Sequence, residues 1–438
     1  MIRHYPEIGV SIPSFFIPKS SINFSKWAVI ACDQFTSEPE YWQSVEKYIG
    51  DSPSTYHLFL PEAYLGTERE KTHLSQTTLM MKEYISNNYF NPLEGMVYIE
   101  RTVGDKMRKG LLLALDLEKY DYHVGSSSLI RASEKTIIER LPPRIEIRKK
   151  AILELPHILV LIDDRQNEII EPLEIEKHKL ALIYDFKLMA NSGHLSGYLI
   201  KNRESEHQII SGFRALINPQ LFAEKYHVSM NTPLLLFAVG DGNHSLATAK
   251  AFWEELKKTA NQDHPAKNAL VEIVNIHDSG LDFKPIHRLL FDSKTDIFDI
   301  IKTQLNVINV TPVSDDNEWI NTISSYRGDN HIFGCIDATK KMIFEIEDKK
   351  NTLCVGRLQP FFDEILKNQL AASIDYIHGN HTLIQLATND NNVGFLLPPV
   401  SKEDLFTTII KEGVLPRKTF SMGEAHEKRF YFECRKIQ

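Results

Sequence analysis

Cysteine is scarce and scattered: four residues in 438, Cys32, Cys335, Cys354 and Cys434, with no CxxC pair. That spacing supports neither a disulfide framework nor a zinc knuckle, and it fits a reducing, cytoplasmic setting. Long apolar runs are missing too. The longest, such as ILVLI at 158–162 and LLLFAV at 234–239, fall far short of the roughly 20 residues that span a bilayer. They read as buried strands, and no membrane partner is expected. The first twenty residues contain Arg3, His4, Glu7 and three prolines, which interrupt any signal-peptide core. Positive charge is not in excess: 50 Lys and Arg against 58 Asp and Glu leave a net −8. No global field draws a polyanion, so nucleic acid is not expected as a partner. Also absent are a GxSxG elbow, an HExxH helix, a kinase-type HRD set, Walker A and GxGxxG, which removes support for the commonest hydrolase, protein-kinase and nucleotide-loop mechanisms.

What is present is an ordinary globular balance, 42% apolar and 25% charged, enough for a sizeable core. WAVIAC at 27–32 reads as a strand ending at Asp33 and Gln34, followed by a helix led by Ser37 and Glu-Pro-Glu and stopped at Gly50. Residues 94–119 read as two strands turning at Gly104-Asp105. A helix is expected from about Arg144 to Leu153 after Pro142-Pro143 breaks the pattern, and residues 191–203 suggest a loop or short hairpin. The clearest unit is TPLLLFAVGDGNHSLATAKAFWEELKK: an apolar strand, a tight turn, then an amphipathic helix with apolar residues at 246, 249, 252 and 256. Residues 303–356 read strand, helix, strand, strand, and the last eighty residues are mixed. No internal repeat is evident.

Chemistry is expected first at GDGNHS, 240–245. A turn between strand and helix places backbone amides at a helix N-terminus, which favours an anion, and phosphate is the natural ligand. Gly240 and Gly242 allow close approach, Asp241 could hold a metal or orient a donor, and Asn243, His244 and Ser245 supply short polar contacts. A polar cap with a structural histidine is the competing account. A second cluster, Arg131, Glu134, Lys135 and Thr136, sets a carboxylate beside two cations and could combine a base with an anion clamp, or be a solvated charge run. His287-Arg288 could be a site or a helix start. His378 and His381 have HxxH spacing without a third ligand, Asp163-Asp164 suit a hard cation or a turn, and Arg417 and Lys418 could close an anion pocket or face solvent.

From Trp27 to Phe420 the ordered blocks VGDGNHS, IRASEKT at 130–136, KPIHRLL at 284–290, LLPP at 396–399 and LPRKTF at 415–420 resemble those of the bacterial and archaeal domain of unknown function 1015 family. The chain departs from that family's pattern at Asn243, usually His, at Ser245, usually Arg, and at Ala132-Ser133, usually Arg-His. The family's Asp-Gly turn is similar to the nucleotide-binding turn of ParB/sulfiredoxin-like free serine kinases. The resemblance therefore implies an ATP- or ADP-dependent phosphotransferase acting on a free amino acid or similar hydroxyl metabolite. In that picture Gly242, Asn243, His244 and Ser245 bind nucleotide phosphates, and Arg131, Lys135, Thr136, His287 and Arg288 surround the phosphoryl group. Glu134 or Asp33 accepts the hydroxyl proton, and Asp241 helps place Mg²⁺. The alternatives are a phosphometabolite hydrolase and a non-catalytic nucleotide- or phosphate-binding regulator.

The expected fold is α/β of the mixed α+β kind. A core over 1–302 has a main sheet joining the early strands, 158–162, 234–239 and the tail, a small accessory module covers 303–356, and residues 357–438 return to the core. One cleft is expected to gather the loops at 33, 131–136, 241–245 and 287–288. A small-molecule substrate is expected, and self-association is left open.

Overall fold

The computed structural model describes residues 3–36, 38–261, 263–347, 353–416 and 418–438. The chain divides into two compact units, residues 1–281 with 423–438, and residues 282–422. These limits differ from the expected 302/303 and 356/357. The strand Phe283–Phe291 and most of the segment expected to rejoin the core belong to the second unit, because their backbone partners lie there.

In the first unit an 11-stranded mixed sheet runs Ala181–Lys187, His194–Ile200, Met96–Val103, Lys106–Asp116, Asn268–Asn275, Leu159–Ile162, Phe237–Asp241, Ile130–Ala132 and Tyr120–Asp121, with Val10–Ser11 and His4–Tyr5 attached beside Lys106–Asp116. Leu159–Ile162 lies parallel to Asn268–Asn275, and Phe237–Asp241 lies parallel to Ile130–Ala132. Side chains alternate across a strand, so both faces must be covered when every position is apolar. Val97, Ile99, Leu112 and Leu270 face Trp27, Trp42, Met81, Tyr84 and Phe432. Tyr98, Leu111, Val160, Phe237 and Val239 face Phe213, Leu246, Phe252 and Trp253.

The strand, turn and helix around 240–245 form as expected: Phe237–Asp241, Gly242, then Asn243–Leu256 with Leu246, Ala249 and Phe252 buried. The helix Pro39–Ile49 and the hairpin of Met96–Val103 and Lys106–Asp116 also form, while Ser37 lies outside the described residues. Four expectations change. WAVIAC gives only the two-residue strand Val29–Ile30, because Asn23 caps a helical turn over Phe24–Trp27. Pro142-Pro143 does not break the helix Leu141–Lys150 but sits in its first turn, where a missing N–H costs nothing. The Gly/Ser-rich stretch near 194 is a full strand, His194–Ile200, because Gly197 leaves room for the Tyr184 ring from the paired strand. The tail does not enter the main sheet. Phe430–Tyr431 pairs with Val29–Ile30, and Arg435–Lys436 with Leu153–Glu154.

The second unit is an antiparallel sheet in the order Val307–Pro312, Lys341–Ile346, His331–Ile336, Val393–Leu396, Phe283–Phe291 and Ser373–His378, with Phe420–Met422 also paired to Phe283–Phe291. One face packs Leu290, Phe333, Phe344 and Phe395 on Phe298, Ile301 and Phe362; the other packs Leu289, Ile332 and Leu396 on Trp319, Ile323 and Leu383. The strand, helix, strand, strand order over 303–356 is present as Val307–Pro312, Asp316–Ser325, His331–Ile336 and Lys341–Ile346. His287-Arg288 is in a strand, not at a helix start.

Candidate functional site

The Phe237–Asp241 strand is too apolar to end in water, and its first polar residues emerge where Gly242 turns the chain with φ 80°. A Cβ there would also press on Ile158, 3.0–3.2 Å away, so glycine is required twice over. The amides of Asn243, His244 and Ser245 are the orphan donors of the helix's first turn. Asp241 Oδ1 accepts the Gly242 N–H at 3.0 Å, and its Oδ2 meets Lys428 Nζ at 3.2 Å.

His244 accepts the Ile137 N–H on Nε2 at 3.3 Å, so its proton resides on Nδ1. Burial lowers its pKa to about 4, and the charges of Arg144 and Arg140 push the same way while Asp33 opposes them. The imidazole is therefore a neutral donor through Nδ1–H. Asn243 Nδ2 donates to Ser133 Oγ at 3.4 Å, while Asn243 Oδ1 and the Thr136 hydroxyl are buried without a partner among the described residues. Buried polar atoms of this kind ask for a ligand.

Ser245 is tied to a relay. The Cys32 N–H donates to the Tyr431 hydroxyl at 3.3 Å, that hydroxyl lies 3.0 Å from His157 Nδ1, and His157 Nε2 lies 2.9 Å from Ser245 Oγ. In the tautomer with the His157 proton on Nε2, Tyr431 donates to Nδ1 and His157 donates to Ser245 Oγ. In that tautomer Ser245 keeps its own O–H to offer. Burial raises the Tyr431 pKa, which keeps the phenol protonated. Beside this relay a cavity of about 700 Å³ opens, bordered by Cys32, Arg140, Arg144, His157 and Ser245. Arg144 donates from Nε to Glu62 Oε1 at 3.1 Å and also pairs with it through Nη2.

The structure thus brings together Asp241, Gly242, Asn243, His244 and Ser245 with the loop that carries Thr136, and Asp33 is close enough to act on His244. Asp33 Oδ1 accepts from Gln34 Nε2 at 3.0 Å. Glu134 is half-buried and Lys135 exposed in that loop. Arg131 is turned away from the helix start. Its guanidinium donates to the carbonyls of Ser128, Pro233 and Leu234 at 2.7–3.0 Å, and burial lowers its pKa. These contacts staple the strand, and the anion clamp expected of Arg131 is not what they serve.

His287 and Arg288 belong to the second unit, where both are buried. His287 Nδ1 accepts the Leu397 N–H at 3.2 Å and Nε2 donates to Asn380 Oδ1 at 2.8 Å. Arg288 donates to the carbonyls of Ile286 and Lys418 and lies 4.5 Å over the Tyr376 ring. Asn380 opens a helix after Gly379, so Gly-Asn-His-Thr at 379–382 echoes the sequence Gly-Asn-His-Ser at 242–245, but ψ is 136° at Gly379 and 26° at Gly242 and the two turns differ in form. His378 ends a strand and His381 begins that helix, so they do not share a helical face. Arg417 lies outside the described residues. Asp163 is bound by His277 at 2.6 Å, Tyr226 at 2.8 Å and Lys225 at 3.1 Å. Asp164 accepts the N–H groups of Glu168 and Ile169, the turn account of that pair. No group of three or more His, Cys, Asp or Glu able to hold a metal occurs among the described residues. No helix among them is long and apolar enough to cross a membrane.

Sequence reasoning missed His157, Lys428 and Tyr431. HEKRFYFECRK near the end has no motif, and its one signal was an aromatic-rich strand beside cations.

No curated protein matches the sequence. Among solved structures, the chain is distantly similar to a free serine kinase in complex with AMP, at 11% identity and a TM-score of 0.37, covering 74% of this chain and 92% of that one. A variant of that kinase in complex with ADP gives 10% identity and a TM-score of 0.38, with 76% and 95% covered. A conserved hypothetical protein from Pyrococcus furiosus gives 10% and 0.37, with 77% and 98% covered. Residues 16–370 match the family described as "Protein of unknown function (DUF1015)". The chain belongs to that family.

Proposed function

We propose that this chain is a phosphotransferase that uses ATP or ADP to phosphorylate a small hydroxyl compound, with the reacting phosphate seated at the start of the Asn243–Leu256 helix. The observation that carries the reading is the donor set there. Three orphan amides, the His244 imidazole and the Ser245 hydroxyl share one helical turn, which also carries the buried, unpartnered Asn243 amide oxygen and meets the loop of the unpartnered Thr136 hydroxyl. A neutral imidazole suits this role because it donates without needing a proton from solvent.

A nucleotide bound there supplies the phosphoryl group, whose bond to the leaving phosphate breaks as the bond to the acceptor oxygen forms. Asp33 takes the acceptor's hydroxyl proton, with Glu134 as the other carboxylate in reach of the role. Lys135, exposed on the same loop, and Lys428, held by Asp241, stand ready to offset phosphate charge. A magnesium site fits less well: the one carboxylate at the turn, Asp241, already spends one oxygen on a backbone N–H and the other on Lys428. No step is routed through a metal.

The test is product formation from ATP and from ADP with a panel of amino acids and alcohols. Phosphate release without an acceptor would instead identify a hydrolase. Asp33→Asn and Glu134→Gln, assayed for turnover and for ADP binding by calorimetry, separate the two carboxylates: the base loses turnover and keeps binding.

A further inference from the structure

The cavity beside Ser245 is larger and more apolar than phosphoryl transfer to serine requires. Its walls come from three places in the first unit: Leu58 and Leu60 from the turn after Thr55, Leu74 and Met81 from the helix Glu68–Ser86, and Ile147 from the helix Leu141–Lys150. Leu270, on the sheet, forms part of the lining. Polar groups border the same space: the Ser245 hydroxyl, the His157 imidazole, and the rim arginine Arg140, whose charge acts on His244. Of the other charges of the lining, Arg144 is matched by Glu62 and Arg148 by Glu154 at 2.6 Å, Glu70 accepts the Gly66 N–H, and Glu139 and Lys150 are exposed. A space of about 700 Å³ lies in the range that encloses most of a sizeable small molecule. Solvating so many aliphatic groups in an empty cavity is unfavourable, and a ligand that covered them would bind chiefly through its hydrocarbon.

We infer that this cavity receives the body of the phosphoryl acceptor, and that the acceptor is a hydroxyl compound bearing an alkyl or aryl chain, with its hydroxyl at the end bordered by Ser245, His157 and Cys32, the neighbour of Asp33. The inference rests on the phosphotransferase reading for the word acceptor, and on the cavity alone for the chain. The transfer is the one described above: the acceptor oxygen gains the phosphoryl group, its proton passes to Asp33, and the nucleotide leaves one phosphate shorter.

The test uses the full chain and straight-chain 3-hydroxy acids from 3-hydroxybutyrate to 3-hydroxydecanoate as probes, with L-serine for comparison. Calorimetry is run in the presence of ADP. Affinity is expected to rise roughly fourfold per added methylene until the cavity is filled. Leu74→Trp and Ile147→Trp, both at half-buried positions, should each flatten that rise while ADP binding is unchanged. If one variant fails to fold, the other decides. A flat series in the unaltered chain that still binds ADP overturns the cavity assignment and leaves the phosphotransferase reading standing, as does a rise that survives both tryptophans. A steep series with no phosphoryl transfer from ATP or ADP to any probe supports the cavity's preference and rejects the acceptor role.

Discussion

His157 Nε2 lies 2.9 Å from the Ser245 hydroxyl although 88 residues separate them in sequence. The pairing completes a hydrogen-bond chain that starts at Tyr431 and ends at the first turn of the Asn243–Leu256 helix, its direction set by the His157 tautomer. Removing the phenolic oxygen should scramble that direction.

Tyr431→Phe leaves the Cys32 N–H and His157 Nδ1 without their buried partner. A stability loss of about 1–3 kcal/mol is expected, read as a shift in the urea midpoint at constant m value. ADP affinity should fall with it, because Ser245 can then turn its proton towards His157. Unaltered stability and unaltered affinity would show that the relay is idle.

Lys428→Met removes the ammonium from Asp241 Oδ2. About tenfold weaker ADP binding is expected, an effect of about 1.4 kcal/mol, with partial recovery in Lys428→Arg. Binding that is equal in all three proteins would place Lys428 in a purely structural pair.

Gly242→Ala puts a side chain at φ 80° and a Cβ against Ile158. A cost of about 1–2 kcal/mol in stability is expected. The larger consequence should be on ligand affinity, since the amides of the first turn depend on that turn's shape. Thermal melts with and without ADP measure both.

His244 and His287 each have a pKa lowered from 6.5 to about 4, in both cases chiefly by burial. A histidine held neutral in the folded state binds fewer protons than the unfolded chain does below pH 6.5. Its contribution is therefore complete above that pH and is lost as the pH falls towards 4. For the fully buried His287 the loss is on the order of 3 kcal/mol at most. Urea unfolding between pH 7 and 4.5 should show stability falling. His287→Gln, whose amide does not titrate, should reduce the slope; the same slope in that variant would point to other groups.

The turn at 240–245 was legible because every signal in it is local: an apolar run, a glycine, short polar residues and a helical period, all within about twenty positions. The helix Pro39–Ile49 was legible for the same reason. The role of Arg131 was not, because what fixes it is the carbonyls of Pro233 and Leu234, about a hundred residues away, and a charge-rich sequence reads alike whether its guanidinium faces solvent or bends inward. His157 and Tyr431 were invisible for a stronger form of that reason, since they acquire meaning only when the tail strand Phe430–Tyr431 closes on Val29–Ile30. The sheet of the second unit was only partly readable. Antiparallel pairing joins Phe283–Phe291 to strands eighty and more residues onward, and no periodicity announces such a partner.

That last pairing has a topological consequence. Phe283 and Met422, near the two ends of the second unit, are neighbours in one ladder, so the chain enters and leaves 282–422 at adjacent points of that unit. It is an insertion, and the first unit is a discontinuous domain. On the ribosome, Lys428 and Tyr431 emerge only after the inserted unit has been made, so the turn at Gly242 waits for its last two supports until the guest has had time to fold. Replacing 282–422 by a short flexible linker should leave the host sheet intact, and would show whether the host binds nucleotide without its guest.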